Sequence, residues 1–256
     1  MDLEMLEFTE ARAFTAQYQQ APDSFGLQAS WHDQLCRLAA PKMDVFMFNR
    51  LLGINWEQDW EHLLAPYREA KLQKYGVAVA PNLLTADLKE RLAASGLEHK
   101  TSWVKMYRPA GDAPEVSSPF RIERIDSRHA AHFAEVVTLG FQMPAFLRPW
   151  LQNVVGIPGW VSYLTFKGDT PVGAGALHVQ GESAWLGLGC TLPEFRNQGS
   201  QGLIMRTRVQ DALDLGCKWV VVETGAETPE KPNPSYHNMV RMGFKLAYSR
   251  MNFLAK

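Results

Sequence analysis

Three extended segments in the second half of the chain restrict its fold most: "WVSYLTF" (160–166), "TPVGAGALHVQ" (170–180) and "SAWLGLGCTL" (183–192). They are separated only by the turn signals Gly168-Asp169 and Gly181-Glu182-Ser183, so they predict an antiparallel meander. The third strand runs into "FRNQGSQGLIMR" (195–206), a loop with an arginine, two glutamines, a serine and two glycines in front of a helix. From Met205 the apolar residues fall at Met205, Val209, Ala212 and Leu213, an amphipathic stripe with Gln210, Asp211 and Asp214 outside it, and Gly216 stops the helix. "KWVVVET" (218–224) is then a nearly continuous apolar run, the pattern of a strand covered on both faces, and its position implies pairing beside the third strand.

Ahead of the meander, "FRIERI" (120–125) reads as a strand, Asp126 or Ser127 can cap a helix to about Gly140, and a second helical stretch covers 144–155. Behind it, the Pro-rich "PEKPNP" (229–234) leads into a short helix from about Ser235 to Met242. Gly243 stops that helix before a last strand, "FKLAYSRMNFL" (244–254). The first half repeats a shorter version of this order. "MDVFMFNRLLGI" (43–54) reads as a strand, 61–72 as a helix, "YGVAVA" (75–80) as a strand, 84–94 as a helix ended by Gly96, and "TSWVKMY" (101–107) as a strand. "RPAGDAPEVSSP" (108–119) replaces apolar periodicity with Pro, Gly, Ser and Asp and reads as a linker. Two domains are therefore expected, 1–115 and 118–256, the first a degenerate copy of the second.

With 256 residues, 46% of them hydrophobic, the chain can build two cores, and a formal net charge of −1 gives no global field toward nucleic acid or anionic membranes. Any anion site must be local. Cys36, Cys190 and Cys217 are odd in number, widely spaced and set among apolar residues, which argues against a disulfide framework or a metal knuckle. "MDLEMLEFTEARAF" is acidic where a signal peptide would be basic, and no apolar run reaches membrane-spanning length. A cytoplasmic location is expected.

The loop at 195–206 sits where a helix leaves its first backbone N–H groups without intrahelical partners, and those groups with the helix dipole favour an anion. Gly199 and Gly202 permit close backbone approach or positive φ, and Arg196 offers a charge-assisted contact to phosphate. Glycine-containing strand-to-helix turns also occur with no ligand. The chain has no Gly-x-Gly-x-x-Gly after a first strand and no Walker-type Gly-Lys-Ser/Thr, which argues against a nucleotide-triphosphate enzyme.

"CTLPEFRNQGSQGLIMRTRVQDALDLGCKWVVVET" (190–224) resembles the acyl-CoA-binding core of the GCN5-related N-acetyltransferases. Pro193, Arg196, Gly199 and the helix after them match that family's first signature. "NPSYHNMVRMGF" (233–244) resembles its second, an Asn-initiated helix ending in Gly243-Phe244. The likeness covers about half the chain, roughly 120–256. It implies an α/β fold with a mixed, mostly antiparallel sheet flanked by helices, here a tandem with a degenerate first copy. It further implies that the third and fourth strands of the second half splay apart and that pantetheine lies in the opening, bonded by the main chain of Cys190, Thr191 and Leu192. Arg196, Asn197, Gln198, Gly199, Ser200, Gln201 and Gly202 would wrap the pyrophosphate, with Asn233 or Tyr236 near the pantetheine or acyl end. The implied reaction is direct transfer of an acetyl or other acyl group from CoA to the primary amine of a small molecule or peptide. No metal, nucleic acid or membrane is implied, and the chain would be a monomer or homodimer.

Two positions depart from the family pattern. Gln201 stands where Gly or Ala is usual, keeping its N–H but adding a side chain near the diphosphate. Met239 replaces the tyrosine that many members place four residues before the Gly of Gly-Phe, and a thioether cannot protonate a thiolate. Tyr236, one turn earlier, is the substitute acid, with His237 as a second candidate, and Glu223 is the candidate base. The Met239 substitution leaves a second reading open, a non-catalytic acyl-CoA-binding or regulatory protein.

Other features point elsewhere more weakly. His129 and His132 can share a helix face, but no third ligand stands near them in sequence. Cys190 lies in an apolar strand with no adjacent His and reads as a packed thiol. Phe141, Phe146, Trp150 and Trp160 are candidates to line an acceptor pocket or to fill the core. In the first half, Glu57, Asp59 and Glu61 follow the strand where a diphosphate loop would be, and would repel one.

Overall fold

The computed structural model describes residues 2–230 and 232–256; Met1, and Lys231 within the Pro-rich loop read above, lie outside the described residues. The elements run α1 (Leu3–Gln19), β1 (Gln28–His32), β2 (Leu35–Ala39), β3 (Arg50–Gly53), α2 (Ala65–Glu69), β4 (Gly76–Val79), α3 (Ala86–Ala94), β5 (Leu97–Pro109), β6 (Arg121–Ile125), α4 (Ala130–Gly140), α5 (Arg148–Gln152), β7 (Trp160–Lys167), β8 (Thr170–Gln180), β9 (Ser183–Thr191), α6 (Ser200–Asp214), β10 (Trp219–Gly225), α7 (Pro234–Arg241) and β11 (Lys245–Ala255).

Two compact units interleave along the chain. The first takes the residues up to Met106 together with Glu223–Asn233 and Leu246–Lys256, and the second takes Tyr107–Val222 and Pro234–Lys245. The division expected at 115–118 is therefore corrected on two counts. The stretch read as a linker belongs wholly to the second unit, where the Gly111 N–H donates to the Val209 carbonyl at 3.1 Å and Arg206 pairs with Glu115. Its Pro, Gly and Ser content marks irregular backbone rather than a free tether. The last strand, in turn, completes the first unit.

In the first unit the strand order is β1-β2-β3-β4-β11-β5. β1, β2 and β3 form an antiparallel meander, β3 pairs with β4 in parallel (Leu51↔Val77), and β11 pairs with β4 antiparallel (Phe253↔Val77). Gly76 is required at that junction, because a Cβ there would stand 1.9 Å from the Phe253 carbonyl oxygen. The core gathers Leu35, Leu51, Trp60, Leu64, Tyr67, Val77, Val79, Leu88, Leu92 and Phe253.

Several first-half expectations need correction. α1 and the β1–β2 hairpin were not expected, and of 43–54 only Arg50–Gly53 is strand. The Asn49 side chain bends the stretch before it, accepting from the Ala40 N–H at 2.7 Å and donating to the Met43 and Val45 carbonyls. The helix read over 61–72 is a 3-10 turn at Glu61–Leu64 followed by α2, with Pro66 at the head of α2.

In the second unit the order is β10-β9-β8-β7-β6, antiparallel except for β9 and β10, which are parallel. α4 and α6 pack on the central strands, and the residues Ser162–Phe166 of β7 are all buried, as a strand covered on both faces requires. Both units thus carry one pattern, an antiparallel meander followed by a helical crossover to a parallel strand. The chain has the expected mixed α/β architecture. Among the described residues no helix is long and apolar enough to cross a membrane.

Candidate functional site

The centre of the second unit is an irregularity in β9. Gly187 pairs with Ala176 and Cys190 with Ala174, so the two residues Leu188 and Gly189 oppose the single residue Gly175. This is a β-bulge, and Leu188 carries its strain at φ 53°. On the other edge, the pairing of β9 with β10 covers only Ser183↔Trp219 to Trp185↔Val221. β9 continues through Thr191 without further pairing to β10. The ladder between these two strands, expected to splay apart, ends after Trp185.

The loop beyond β9 begins with a 3-10 turn at Pro193–Phe195 and enters α6 through Asn197 and Gly199, with φ of 60° and 84°. Among the described residues no side chain caps the N-terminus of α6. Gly199 is required twice over, by its left-handed φ and because a Cβ would meet the Ser117 carbonyl oxygen at 2.6 Å. The Ser118 hydroxyl donates to the Gln198 carbonyl at 3.3 Å, and Val116 lies against Gly202. Arg196 is exposed and folds back, with Nε donating to the Thr191 carbonyl at 3.3 Å. Ser200 is buried, its hydroxyl 2.8 Å from that of Thr165.

Gln201 does not cover the N-terminus of α6. Its amide reaches α7 instead, with Nε2 donating to the Ser235 hydroxyl at 3.0 Å and Oε1 accepting from Asn238 at 2.5 Å. α7 presents a half-buried Tyr236 whose ring meets that of the exposed His237 edge-on at 5.6 Å, while Met239 is buried. Cys190 is buried against Gly140, with its Sγ donating to the Val136 carbonyl at 3.6 Å, and burial pushes the thiol up to about 12. It is packed in the core rather than presented to solvent as a nucleophile.

One functional candidate escaped the sequence reading. Arg208, on α6, is fully buried and donates from Nη1 to both the Ala176 and Gly187 carbonyls at 3.0 Å, the pair that flanks the bulge. The available signal was a cation inside the buried series Ile204, Arg208 and Ala212, each one turn from the next. Of the aromatic residues considered for an acceptor pocket, Trp150 and Trp160 are buried, while Phe141 and Phe146 are exposed. The His129 and His132 rings lie 6.2 Å apart, and among the described residues no group of three or more His, Cys, Asp or Glu could hold a metal.

Two of the residues expected at the site, Glu223 and Asn233, belong to the first unit. Asn233 closes its own loop, donating from Nδ2 to the Gly225 carbonyl at 2.6 Å and to the Thr224 hydroxyl at 3.0 Å. Glu223 joins a buried ionic network. Arg250 engages both of its oxygens, and Lys105 reaches one at 3.1 Å. Glu10 pairs with Lys105, with Arg250 at 2.8 Å and with Arg50 at 2.7 Å, and Glu7 pairs with Arg250 at 3.1 Å. Burial and the neighbouring Glu10 raise the Glu223 carboxyl to about 6 against the pull of Arg250 and Lys105. Burial also works to raise Glu10, but Arg250, Lys105 and Arg50 outweigh it and hold that carboxyl well below the ordinary range. The first unit has no diphosphate loop at the corresponding crossover. Glu61 pairs there with Arg91 at 2.8 Å, and Trp56, Trp60 and Leu63 of the same segment are buried in the core.

No family model matches the sequence, and no curated protein matches it. The fold does have solved counterparts. A GCN5-related N-acetyltransferase from Kribbella flavida aligns over 100% of this chain and 96% of its own, at TM-score 0.64 and 12% identity. A GCN5-related N-acetyltransferase from Sphaerobacter thermophilus covers 96% of this chain and 90% of its own, at TM-score 0.57 and 13% identity. A tandem protein of the same fold from the clavulanic acid biosynthesis pathway covers 80% of this chain and 73% of its own, at TM-score 0.55 and 15% identity. The chain is similar to these proteins in fold.

Proposed function

We propose that the second unit binds an acyl-CoA, acetyl-CoA in the first instance, and passes the acyl group to a primary amine of a small molecule or peptide. The observation that carries this reading is the bulged β9, released from β10 after Trp185 and joined by the short loop at 192–199 to a helix N-terminus that no side chain caps among the described residues. The residues suit such a ligand. The edge of β9 from Leu186 to Thr191 offers main-chain groups to an extended chain, and the first N–H groups of α6, at Ser200, Gln201 and Gly202, favour a diphosphate. Gln201, the bulkiest side chain in that turn, is drawn off to α7. Arg196 is exposed at the same loop and adds a positive charge.

Acyl-CoA supplies the activated thioester. The proton that the departing sulfur needs is assigned to the Tyr236 phenol, which water restores, and the proton leaving the amine goes to solvent. Glu223 is not given the base role in this proposal, because both its oxygens are already held by Arg250 in the first unit. The three cysteines are unpaired and buried, which fits a reducing, cytoplasmic setting.

Calorimetry with CoA and acetyl-CoA tests binding, and no heat with either overturns the proposal. Thiol release from acetyl-CoA against a panel of amines tests transfer, and Tyr236→Phe should lower that rate at least tenfold with CoA affinity retained. The buried Met239 at the usual acid position favours a second reading, an acyl-CoA-binding protein without turnover. Tight acetyl-CoA binding with no amine-dependent thiol release would select it.

A further inference from the structure

The outer strands of the two units differ in how they are guarded. β6, the outer strand of the second unit, is Arg-Ile-Glu-Arg-Ile, with Arg121 paired to Glu123 and Arg124 to Asp211. Charge of that kind discourages an unpaired strand from taking up another chain. β1, the outer strand of the first unit, is Gln28-Ala29-Ser30-Trp31-His32, with no Lys, Arg, Asp, Glu or Pro, no bulge against β2, and no buried residue. Which of its main-chain groups are free follows from the hairpin. Asp33 and Gln34, at φ 37° and 65°, form a two-residue turn, so His32 and Leu35 beside it are a hydrogen-bonded pair. The alternation of an antiparallel ladder then turns the main chain of Gln28, Ser30 and His32 toward β2, and that of Ala29 and Trp31 away from it. Among the described residues no other segment gives the main chain of those two a partner.

Trp31 is the large apolar residue of this edge and is 37% exposed. Its ring is fixed in place, meeting Phe8 edge-on at 5.3 Å, with Nε1 donating to the Thr15 hydroxyl at 3.2 Å. The strand also complements itself. A second β1 laid antiparallel about a twofold axis at Ser30 sets Ala29 opposite Trp31 on both sides of the axis, and each such pair exchanges both of its main-chain bonds. The smaller side chain lies beside the larger on one face of the sheet. Ser30 faces its own copy, and Gln28 faces His32. Burial, with Arg37 and His62 nearby, lowers the His32 pKa and favours its neutral ring, so no like charges meet between the strands. A twofold pairing uses both β1 edges at once, and association stops at two.

We propose that this edge is a homodimer interface, in which β1 of one copy pairs antiparallel with β1 of a second copy about a twofold axis at Ser30, through the main chain of Ala29 and Trp31. The inference does not depend on the acyl-CoA reading above.

Sedimentation equilibrium of the full-length protein over roughly 1–100 µM tests it, with circular dichroism to confirm folding of each variant. The wild-type protein should reach twice the 28.8 kDa of one chain at the upper concentrations. Ala29→Pro removes an outward N–H and none of the bonds to β2, and should weaken association at least about tenfold. Ser30→Lys and Ser30→Glu each bring like charges face to face, so each alone should be monomeric, whereas an equimolar mixture of the two should dimerise. A wild-type protein that stays at the mass of one chain, or that runs beyond the dimer, overturns the inference. An undiminished dimer in folded Ala29→Pro overturns it too, as does a dimer kept by either Ser30 variant alone. A mixture of the folded Ser30 variants that remains monomeric does the same. If the Ser30 variants do not fold, Ala29→Pro decides, and if Ala29→Pro does not fold, the mixture decides.

Discussion

Asn238 donates from Nδ2 to Oε1 of Gln201 at 2.5 Å, and Gln201 in turn donates from Nε2 to the Ser235 hydroxyl at 3.0 Å. A glutamine in the position where the related signature has glycine or alanine thus ties the first turn of α6 to both ends of the turn of α7 that carries Tyr236. Two partly buried hydrogen bonds contribute about 1 kcal/mol each. Gln201→Ala should lower the melting temperature by roughly 4–8 °C, at ~2–4 °C per kcal/mol for a chain of this size. CoA affinity should stay within about threefold, because the N–H at that position is kept. Differential scanning fluorimetry with calorimetry checks both, and an unchanged melting temperature would show that the bridge is absent in solution.

Gly199 and Gly202 look interchangeable in the motif and are not. Gly199 has φ 84° and a Cβ there would meet a backbone oxygen at 2.6 Å, whereas a Cβ on Gly202 would meet the movable Val116 side chain at 3.2 Å. Gly199→Ala should cost at least ~1–2 kcal/mol for the left-handed backbone alone and should weaken CoA at least about tenfold. Gly202→Ala should bind within about threefold of wild type. Equal effects of the two substitutions on CoA affinity would contradict this assignment.

The buried network of the first unit gives two carboxylates opposite responses to pH. Glu223 has its folded pKa raised to about 6, so its contribution is fully present below the unfolded value near 4.5 and is lost as pH rises through about 6. Glu10 is held low, so its contribution is present above the unfolded value and is lost as pH falls below it. Glu223→Gln, which imitates the protonated acid, should therefore cost little at pH 7 and should remove the fall in stability between pH 5 and pH 7. Glu10→Gln leaves Lys105, Arg50 and Arg250 under-compensated and should cost about 3–5 kcal/mol. Urea unfolding at the two pH values separates them, and equal costs at pH 7 would overturn the distinction.

Cys190 lies close to the proposed acyl position but is buried, with its thiol pushed up to about 12. Iodoacetamide at pH 8 should leave it unlabelled in the native protein and label it after denaturation. Cys190→Ala should keep thiol-release activity within about threefold. Loss of all activity in a folded Cys190→Ala protein would restore the covalent route that burial argues against.

The second unit was readable because its strands and helices keep strict period and its turns contain glycine. The strand bounds at 170–180 and the helix ending before Gly216 follow directly from that chemistry. The first unit concealed itself where its chemistry reverses the usual signs. α1 turns Glu7 and Glu10 inward, so acidic residues of the kind that ordinarily face solvent are among its most buried. The hairpin between β1 and β2 turns through Asp33 and Gln34 at φ 37° and 65°, with no glycine to announce it. Arg208 hid for the same reason as Glu10, since one charge on an apolar stripe reads as an interruption until its acceptors are seen. The loop at 195–206 was legible as a helix entry, but the contact of Gly199 with Ser117 joins residues some 80 positions apart, and no local pattern records it.

The pairing of β11 with β4 sets an order on biosynthesis. Met251–Leu254 meet Gly76–Val79, so the core around Phe253 waits on a strand that emerges from the ribosome long after its partners. The second unit's meander and the α6 crossover are complete by Val222 and need only Pro234–Lys245 to finish. The half translated first is the half that closes last, and until β11 arrives β4 holds an open edge, the kind of surface that nascent-chain chaperones shield.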